Sequence, residues 1–314
     1  MRGDATAAQT AALLLGRRVT GETAEELTGA ARALRTAMVR LPAREPELLL
    51  DTCGTGGGRV QTFNISTAAA FVAAGAGARV AKHGNRSFTT KCGSADVLEA
   101  LGVRIEMPVD DMRRVLEEAG IVFMFAPIMH PAMRHVGPVR REITIPTMMN
   151  ILGPLANPAG AGRQVVGVAD APRLGLVAAA LAALGTTHSM VVHGEPGMDE
   201  LSPMGPTRVA EIRGGKVTEW TLDPRDFGLP IATAEALAGG EPAENARRVV
   251  DTLEGKERGA PRHAVVLNAA AAIYVAGLTP DLASGIKRAE ESIDKGKAAE
   301  SLRGLARAAR PRAS

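Results

Sequence analysis

Aromatic side chains are scarce in this sequence: one Trp, one Tyr and six Phe make up 3% of 314 residues. Single-stranded nucleic acids are held largely by stacking on such rings, so a chain this poor in them is a weak candidate for that class. Cysteine is scarcer still. Cys53 and Cys92 are the only two, and they stand at no spacing that serves a zinc centre or a disulfide framework. A dominant charge is missing as well: 37 Lys and Arg against 34 Asp and Glu leave a net +3. Much of that excess falls on Arg303, Arg307, Arg310 and Arg312, a pattern of a solvated helix face rather than of a nucleic-acid surface. The most apolar stretches, 67–81 and 174–184, are too short and too rich in Ala and Gly for a membrane span. The start, Met1-Arg-Gly-Asp, lacks the apolar stretch of a secretory signal. The expectation is a cytoplasmic protein with neither nucleic acid nor membrane as partner.

What is present is a globular composition, with 46% hydrophobic residues over a length that can bury a sizeable core. Residues 7–17 and 22–40 carry helical spacing, and Gly21-Glu22-Thr23-Ala24 followed by Glu25 and Glu26 is a helix start with its cap. From residue 48 short apolar runs alternate with helical segments. Strands are expected at 48–50, 79–81, 103–105, 121–125, 164–168 and 190–192, and helices near 66–76, 95–101, 109–119 and 172–184. Such alternation implies βαβ crossovers. Residues 209–212 and 216–222, joined through Gly214-Gly215, read as a hairpin. Segments 243–253, 262–277 and 280–309 are helical by composition. The alternation stops between 127 and 157, a stretch rich in Pro, Met and basic residues that can leave the sheet and pack on the N-terminal helices. The expected class is α/β: a small all-helical domain, 1–46 with part of 127–150, and a larger α/β domain, 47–126 and 151–314, with a mainly parallel central sheet covered by helices.

Two loops are built to hold anions. Gly54-Thr55-Gly56-Gly57-Gly58 follows an apolar run and leads through Asn64, Ser66 and Thr67 into an Ala-rich helix. Glycines there permit positive φ and close backbone approach, so successive N–H groups can face one concavity, helped by the helix N-terminus. The loop is neither a Walker A motif nor GxGxxG. The second loop runs Lys82-His83-Gly84-Asn85-Arg86 and on through Thr89, Thr90 and Ser94, offering cations, an amide and hydroxyls; Ser94 with Asp96 also fits a helix cap. Two anion cradles within about forty residues point to a ligand with two phosphate groups. Asp199 and Glu200, adjacent carboxylates expected at the same sheet edge, suit Mg²⁺, which shares phosphate oxygens and keeps water. His83, His130, His135 and His193 have no metal-ligand spacing. Arg140 offers a planar guanidinium for a carboxylate.

The order and spacing of Gly54-Thr-Gly-Gly, Asn64-Ile-Ser-Thr, Lys82-His-Gly-Asn-Arg, Gly93-Ser-Ala-Asp, His130-Pro-Ala-Met, Val139-Arg-Arg-Glu, Asn150-Ile-Leu-Gly-Pro-Leu-Ala-Asn-Pro and Asp199-Glu-Leu-Ser resemble the anthranilate phosphoribosyltransferases of tryptophan biosynthesis. The resemblance implies transfer of phosphoribose from 5-phosphoribosyl 1-diphosphate (PRPP) to the amine of anthranilate, with inversion at the sugar carbon, Mg²⁺ as the cofactor, and a homodimer formed through the helical domain. It also implies a PRPP site made of Gly54, Gly57, Gly58, Thr62, Asn64, Ile65, Ser66, Thr67, Lys82, His83, Gly84, Asn85, Arg86, Thr89, Thr90 and Ser94. Gly54, Asn85, His130, Pro131 and Arg140 would meet anthranilate, and Ser66, Asp199 and Glu200 would reach the metal. No dedicated acid or base is implied, only support of the transition state by Lys82. The resemblance breaks at two points. Gly58 and Arg59 stand where the family pattern has Asp and Gly, and the chain begins one or two helices late, which leads us to expect a truncated start or a reduced interface. Pyrimidine nucleoside phosphorylases resemble this fold, but their Lys-x-Ser-x-x-Gly loop is not found in the sequence.

Overall fold

Four of the five parallel strands end on a glycine, and this sets where the chain can turn tightly enough to build a site. A computed structural model describes residues 2–87 and 91–311. The parallel strands are β1 (Leu50–Gly54), β2 (Val80–Gly84), β3 (Ile121–Phe125), β4 (Arg163–Gly167) and β5 (His188–Gly194). The hairpin β6 (Thr207–Arg213) and β7 (Lys216–Leu222) turns at Gly214 and Gly215, both at positive φ, and joins β5 antiparallel. The sheet order is β3-β2-β1-β4-β5-β6-β7. The chain runs outward from β1 through β2 to β3 and then returns to lay β4 on the other side of β1. Strand order therefore reverses between β1 and β4, and in an open α/β sheet a ligand crevice forms at the carboxyl ends on either side of such a point.

Two apolar cores cover the two faces. On one, helix α3 (Ile65–Gly75) packs on the helix Ala260–Val275, both rich in Ala. Close approach is required there: a Cβ on Gly75 would meet Ser292 Oγ at 2.5 Å, and one on Gly285 would meet Ala270 O at 2.7 Å. On the other face, Val166, Val191, Ala210 and Ile212 of the sheet meet the helix Leu174–Ala183, which in turn packs on helix α2 (Ala24–Ala37). Helix α1 (Ala7–Thr20) and α2 each start in a capping box, Thr6 with Gln9 and Thr23 with Glu26, two orphan donors being satisfied reciprocally at each start. Segment 137–155 contributes Met148, Met149, Ile151, Leu152 and Leu155 to the same core as Leu14, Leu27 and Leu34. The buried ion pair Arg173–Glu22, at 3.1 Å, ties the start of α2 to the α/β layer.

Three expectations need correction. Residues 103–105 form no strand. Val103, Ile105 and Met107 are buried while Arg104 and Glu106 are exposed, so the alternation reports an extended segment seated on the core, not one paired in a ladder. Residues 280–309 form two helices, Leu282–Asp294 and Lys297–Ala308, divided at Gly296 in the left-handed region. The strand expected at 48–50 starts at Leu50, because Pro46–Leu48 is a 3-10 turn.

Candidate active site

The carboxyl ends of β1, β4 and β5 close on one another through glycines. Thr55 N donates to Gly167 O at 2.9 Å and Arg59 N donates to Gly197 O at 2.9 Å, so the loop 54–58 is clasped to the turn after β5. Gly56 and Gly57 have φ of +69° and +79°, a region that only glycine enters freely. Gly56 N then donates to Asp199 Oδ2 at 2.8 Å. A Cβ on Gly54 or on Gly167 would collide with Asp199 itself. The glycine loop thus surrounds the Asp199 carboxylate, a contact between residues 143 positions apart.

Glu200 sits beside it and accepts the N–H of Ser66 at the N-terminus of α3. Burial and the Asp199 charge push its carboxyl up to about 8, opposed by Lys82. Burial also raises Asp199, with the Gly56 N–H and the field of His193 acting against it. Two adjacent acids, largely shielded from water and short of donors, form an arrangement that a cation relieves. Thr52, Ser66, Asp199 and Glu200 line one small crevice at the reversal point. Among the described residues no three His, Cys, Asp or Glu side chains gather to hold a metal. Two carboxylates and a hydroxyl fit Mg²⁺, whose remaining places go to water and phosphate oxygens.

Lys82 lies within β2 and is 3% exposed. Its ammonium donates to the carbonyl of Thr52 and, at 3.3 Å, to Thr52 Oγ1. Burial lowers its pKa, while the charges of Asp51, Cys53 and Glu200 raise it. Asp51 is fully buried and accepts from Asn157 Nδ2 at 2.8 Å and from His83 N at 3.1 Å. Asn157 also donates to Ala81 O at 2.9 Å, which fixes β1 against β2 beneath the site. Asp51, Thr52 and Asn157 do not stand out in the sequence. Its single signal for them is Asn157 inside the motif that begins at Asn150, with no role attached.

The two anion loops are joined by Asn64. Its Nδ2 donates to Cys92 O at 3.2 Å, and its Oδ1 accepts from Cys92 Sγ at 3.3 Å and from Asn245 Nδ2 at 3.0 Å. Gly93, not Ser94, is the N-cap of helix α4 (Ser94–Ala100); Asp96 Oδ2 accepts from Gly93 N at 2.8 Å, and Ser94 Oγ donates to Asn85 O at 3.2 Å. Gly84 has no room for a side chain, because a Cβ would collide with Ser94 Oγ. Arg86 differs from expectation: it pairs with Asp96 at 3.0 Å and with Glu99 at 3.0 Å, so its charge is taken up by α4. Asn85 Oδ1 accepts from Arg86 N at 2.8 Å. Ile65 is core, Thr62 bridges to Ala238, and the buried Thr67 Oγ1 has no partner among the described residues. Gly57 is exposed and Gly58 half-buried. Thr89 and Thr90 lie outside the described residues.

His83 Nε2 and His130 Nε2 are 3.1 Å apart. Burial drives both pKa values down, to about 3 for His83 and about 4 for His130, so the pair is neutral and links β2 to the segment that leaves the sheet. Pro131 follows His130 on the surface. Arg140, on the helix Gly137–Ile143, is half-buried; burial alone lowers its pKa, and no acid among the described residues compensates.

Residues 46–299 match the a/b domain of the glycosyl transferase family, and residues 1–38 match its helical bundle domain. The chain is 52% identical over 310 residues to the anthranilate phosphoribosyltransferase of Rubrobacter xylanophilus, covering 99% of this chain and 90% of that one. It is 52% identical over 303 residues to that of Chloroflexus aggregans, covering 96% and 88%. Among solved structures, the anthranilate phosphoribosyltransferase of Thermus thermophilus superposes with a TM-score of 0.93 at 44% identity, over 98% of this chain and 92% of that one. The Saccharomyces cerevisiae enzyme in complex with PRPP and Mg superposes at 0.89 and 30% identity, over 96% and 85%.

Proposed function

We infer the activity of this chain from its family, for it belongs to the anthranilate phosphoribosyltransferases: it transfers phosphoribose from PRPP to the amine of anthranilate, giving N-(5-phosphoribosyl)anthranilate and diphosphate. The observation that carries this reading onto the site is the meeting of the loop 54–58, the N-terminus of α3 and the Asp199–Glu200 pair at one edge of the sheet.

In the reaction the bond from the anomeric carbon to diphosphate breaks and a bond to the anthranilate nitrogen forms, with the amine proton passing to solvent. The aromatic amine is already neutral near pH 7, so it needs positioning rather than a base. The larger task is to stabilise charge that develops on the leaving diphosphate, for which preorganised N–H groups and cations are suited. Backbone amides at Gly54, Gly57 and Gly58 and the end of α3 at Asn64, Ile65, Ser66 and Thr67 would receive the phosphates, with Thr62, Gly84, Asn85 and Ser94 completing the PRPP site. Asp199, Glu200 and Ser66 would hold Mg²⁺, which neutralises the diphosphate when bound. Lys82 adds positive charge from within the sheet, and the neutral His83 supports the wall. Asn85, His130 and Pro131 would face anthranilate, with Arg140 as the group for its carboxylate.

The helical domain, 1–46 with part of 127–150, would close on the α/β domain over both substrates. Leu13 and Val19, 62% and 85% exposed on α1, would lie in a homodimer interface. No helix among the described residues is long and apolar enough to cross a membrane, and a cytoplasmic site of action fits the substrates. The test is loss of anthranilate fluorescence in a mixture of protein, PRPP and Mg²⁺. Turnover that needs all three supports the reading; binding of PRPP without turnover, or binding of neither substrate, sinks it.

A further inference from the structure

The edge of the sheet opposite the active site carries a second concave feature. Arg163 opens β4, Thr187 and His188 stand at the start of β5, and Arg213 closes β6. Tyr274, near the end of the helix Ala260–Val275, and Thr279 in the loop that follows complete a cavity of about 500 Å³, within the size range of small-molecule sites. Arg163 and Gly167 are the two ends of β4, so the cavity and the glycine loops are separated by about 13 Å of strand.

The chemistry of the lining is one-sided. Among the described residues it holds two arginines and no acid. Arg163 donates through Nη1 to Val275 O at 2.7 Å, and its Nε is buried with no acceptor among the described residues. Arg213 reaches the Tyr274 hydroxyl. Burial and the like charge of Arg213 both lower the pKa of Arg163, as expected of cations that share a wall without a counterion. Glu211, bonded to two of the lining side chains, does not serve as that counterion. Its carboxylate accepts from His188 Nε2 at 2.8 Å, Tyr274 OH at 2.8 Å and Trp220 Nε1 at 3.1 Å. The loop is shaped around Arg163: Gly277 has φ +76°, and a Cβ there would lie 3.0 Å from Arg163 Nη1.

We propose that this cavity is a second ligand site, separate from the active site, which takes a small oxyanion, either a phosphate or the carboxylate of an aromatic acid. Arg163 and Arg213 supply the planar forks that such groups match, Thr187 adds a hydroxyl, and the edge-to-face pair His188–Tyr274, with centroids 5.0 Å apart, forms the ring wall.

The protein carries its own reporter, since Trp220 is the only tryptophan and is bonded to the same Glu211 as His188 and Tyr274. Trp220 fluorescence is followed during titration with sodium phosphate and, separately, with sodium benzoate at constant ionic strength, in the absence of substrates. The expected result is a saturable change with at least one of them, its midpoint moved by roughly tenfold or more in Arg213→Ala. Arg213 is exposed, so that variant keeps its fold. A response to phosphate alone assigns the site to phosphate groups, and one to benzoate alone assigns it to aromatic carboxylates. No saturable change with either, or an unchanged midpoint in both Arg213→Ala and Arg163→Lys, overturns the proposal. The readout is binding, so it stands apart from any failure of turnover.

Discussion

The two edges of the sheet handle buried charge in opposite ways. At the carboxyl edge, Asp199 and Glu200 are both raised by burial and have too few donors to offset it. At the amino edge, Glu211 has three donors, from His188, Tyr274 and Trp220, and its pKa is lowered in spite of burial. The first pair is costly without a partner, which is why we propose that a cation and its phosphates bind there. The second is a finished structural network. What is unfinished at the amino edge is the pair of arginines. The difference teaches that burial alone does not mark a functional acid; the mark is burial with hydrogen-bonding capacity left over.

The largest expected effect tests whether Lys82 and Asp51 are a coupled pair. Lys82→Met leaves the Asp51 carboxylate buried opposite an apolar group, a loss of about 3–5 kcal/mol in unfolding free energy by urea titration. Adding Asp51→Asn should recover part of the stability, because the buried charge is gone and the amide oxygen can still accept from His83 N, although the amide NH2 then meets the Asn157 Nδ2 donor; activity should stay low without the cation. If the double variant is no more stable than Lys82→Met, the two charges do not balance one another.

That pairing also shows where sequence reading stops. Glycine loops, the strand Ile121–Phe125 and the hairpin through Gly214-Gly215 are legible because local chemistry dictates them: φ > 0, apolar runs, tight turns. The support of the site is not. Asn157 reaches Asp51 across 106 positions and His130 reaches His83 across 47, and neither spacing has a local signature. Arg86 misleads for the same reason. A cation next to an anion cradle looks free until Asp96 and Glu99 of α4 are seen to face it. At 103–105 a correct pattern of burial reads as a ladder, since period-two alternation carries no information on whether a neighbouring strand exists.

The next test concerns the His83–His130 pair, for which pH is the probe. Both are neutral in the folded protein, with pKa values of about 3 and about 4 against 6.5 unperturbed. Above pH 6.5 folded and unfolded states bind the same number of protons at these rings, and the pair contributes no pH dependence. Below it the unfolded chain takes up protons that the fold refuses. Stability therefore falls as pH drops from about 6.5 toward 4, by up to about 1.4 kcal/mol per pH unit for each histidine. Urea midpoints at pH 7 and pH 4.5 should diverge less in a His83→Gln, His130→Gln double variant than in the natural protein; equal divergence would remove the pair from the account. Arg213→Ala, at the amino edge, should leave the unfolding free energy at both pH values within about 0.5 kcal/mol, as surface substitutions do.

The smallest effect is at Gly58, where the family pattern carries an acid. Gly58 is not at positive φ, so a side chain adds no backbone strain. Its Cβ would lie 3.1 Å from Gly197 O and 3.3 Å from Asp199 Oδ1, so the clasp must yield by a few tenths of an ångström. Gly58→Asp places a third carboxylate beside Asp199 and Glu200 and opposite the charge of a bound divalent ion. Position 58 is half-buried, so the added attraction is about 0.2–1 kcal/mol, the range of partly screened pairs. The Mg²⁺ concentration at half-maximal rate should then fall by up to roughly fivefold, while the charge repels PRPP and raises its KM. The direction separates two causes: a metal effect lowers the Mg²⁺ requirement, whereas a distorted clasp raises it, because Asp199 loses the Gly56 N–H that holds it in place. Titrations of Mg²⁺ and of PRPP that are both unchanged would mean that position 58 touches neither, and that the loop acts through Gly54, Gly56 and Gly57 alone.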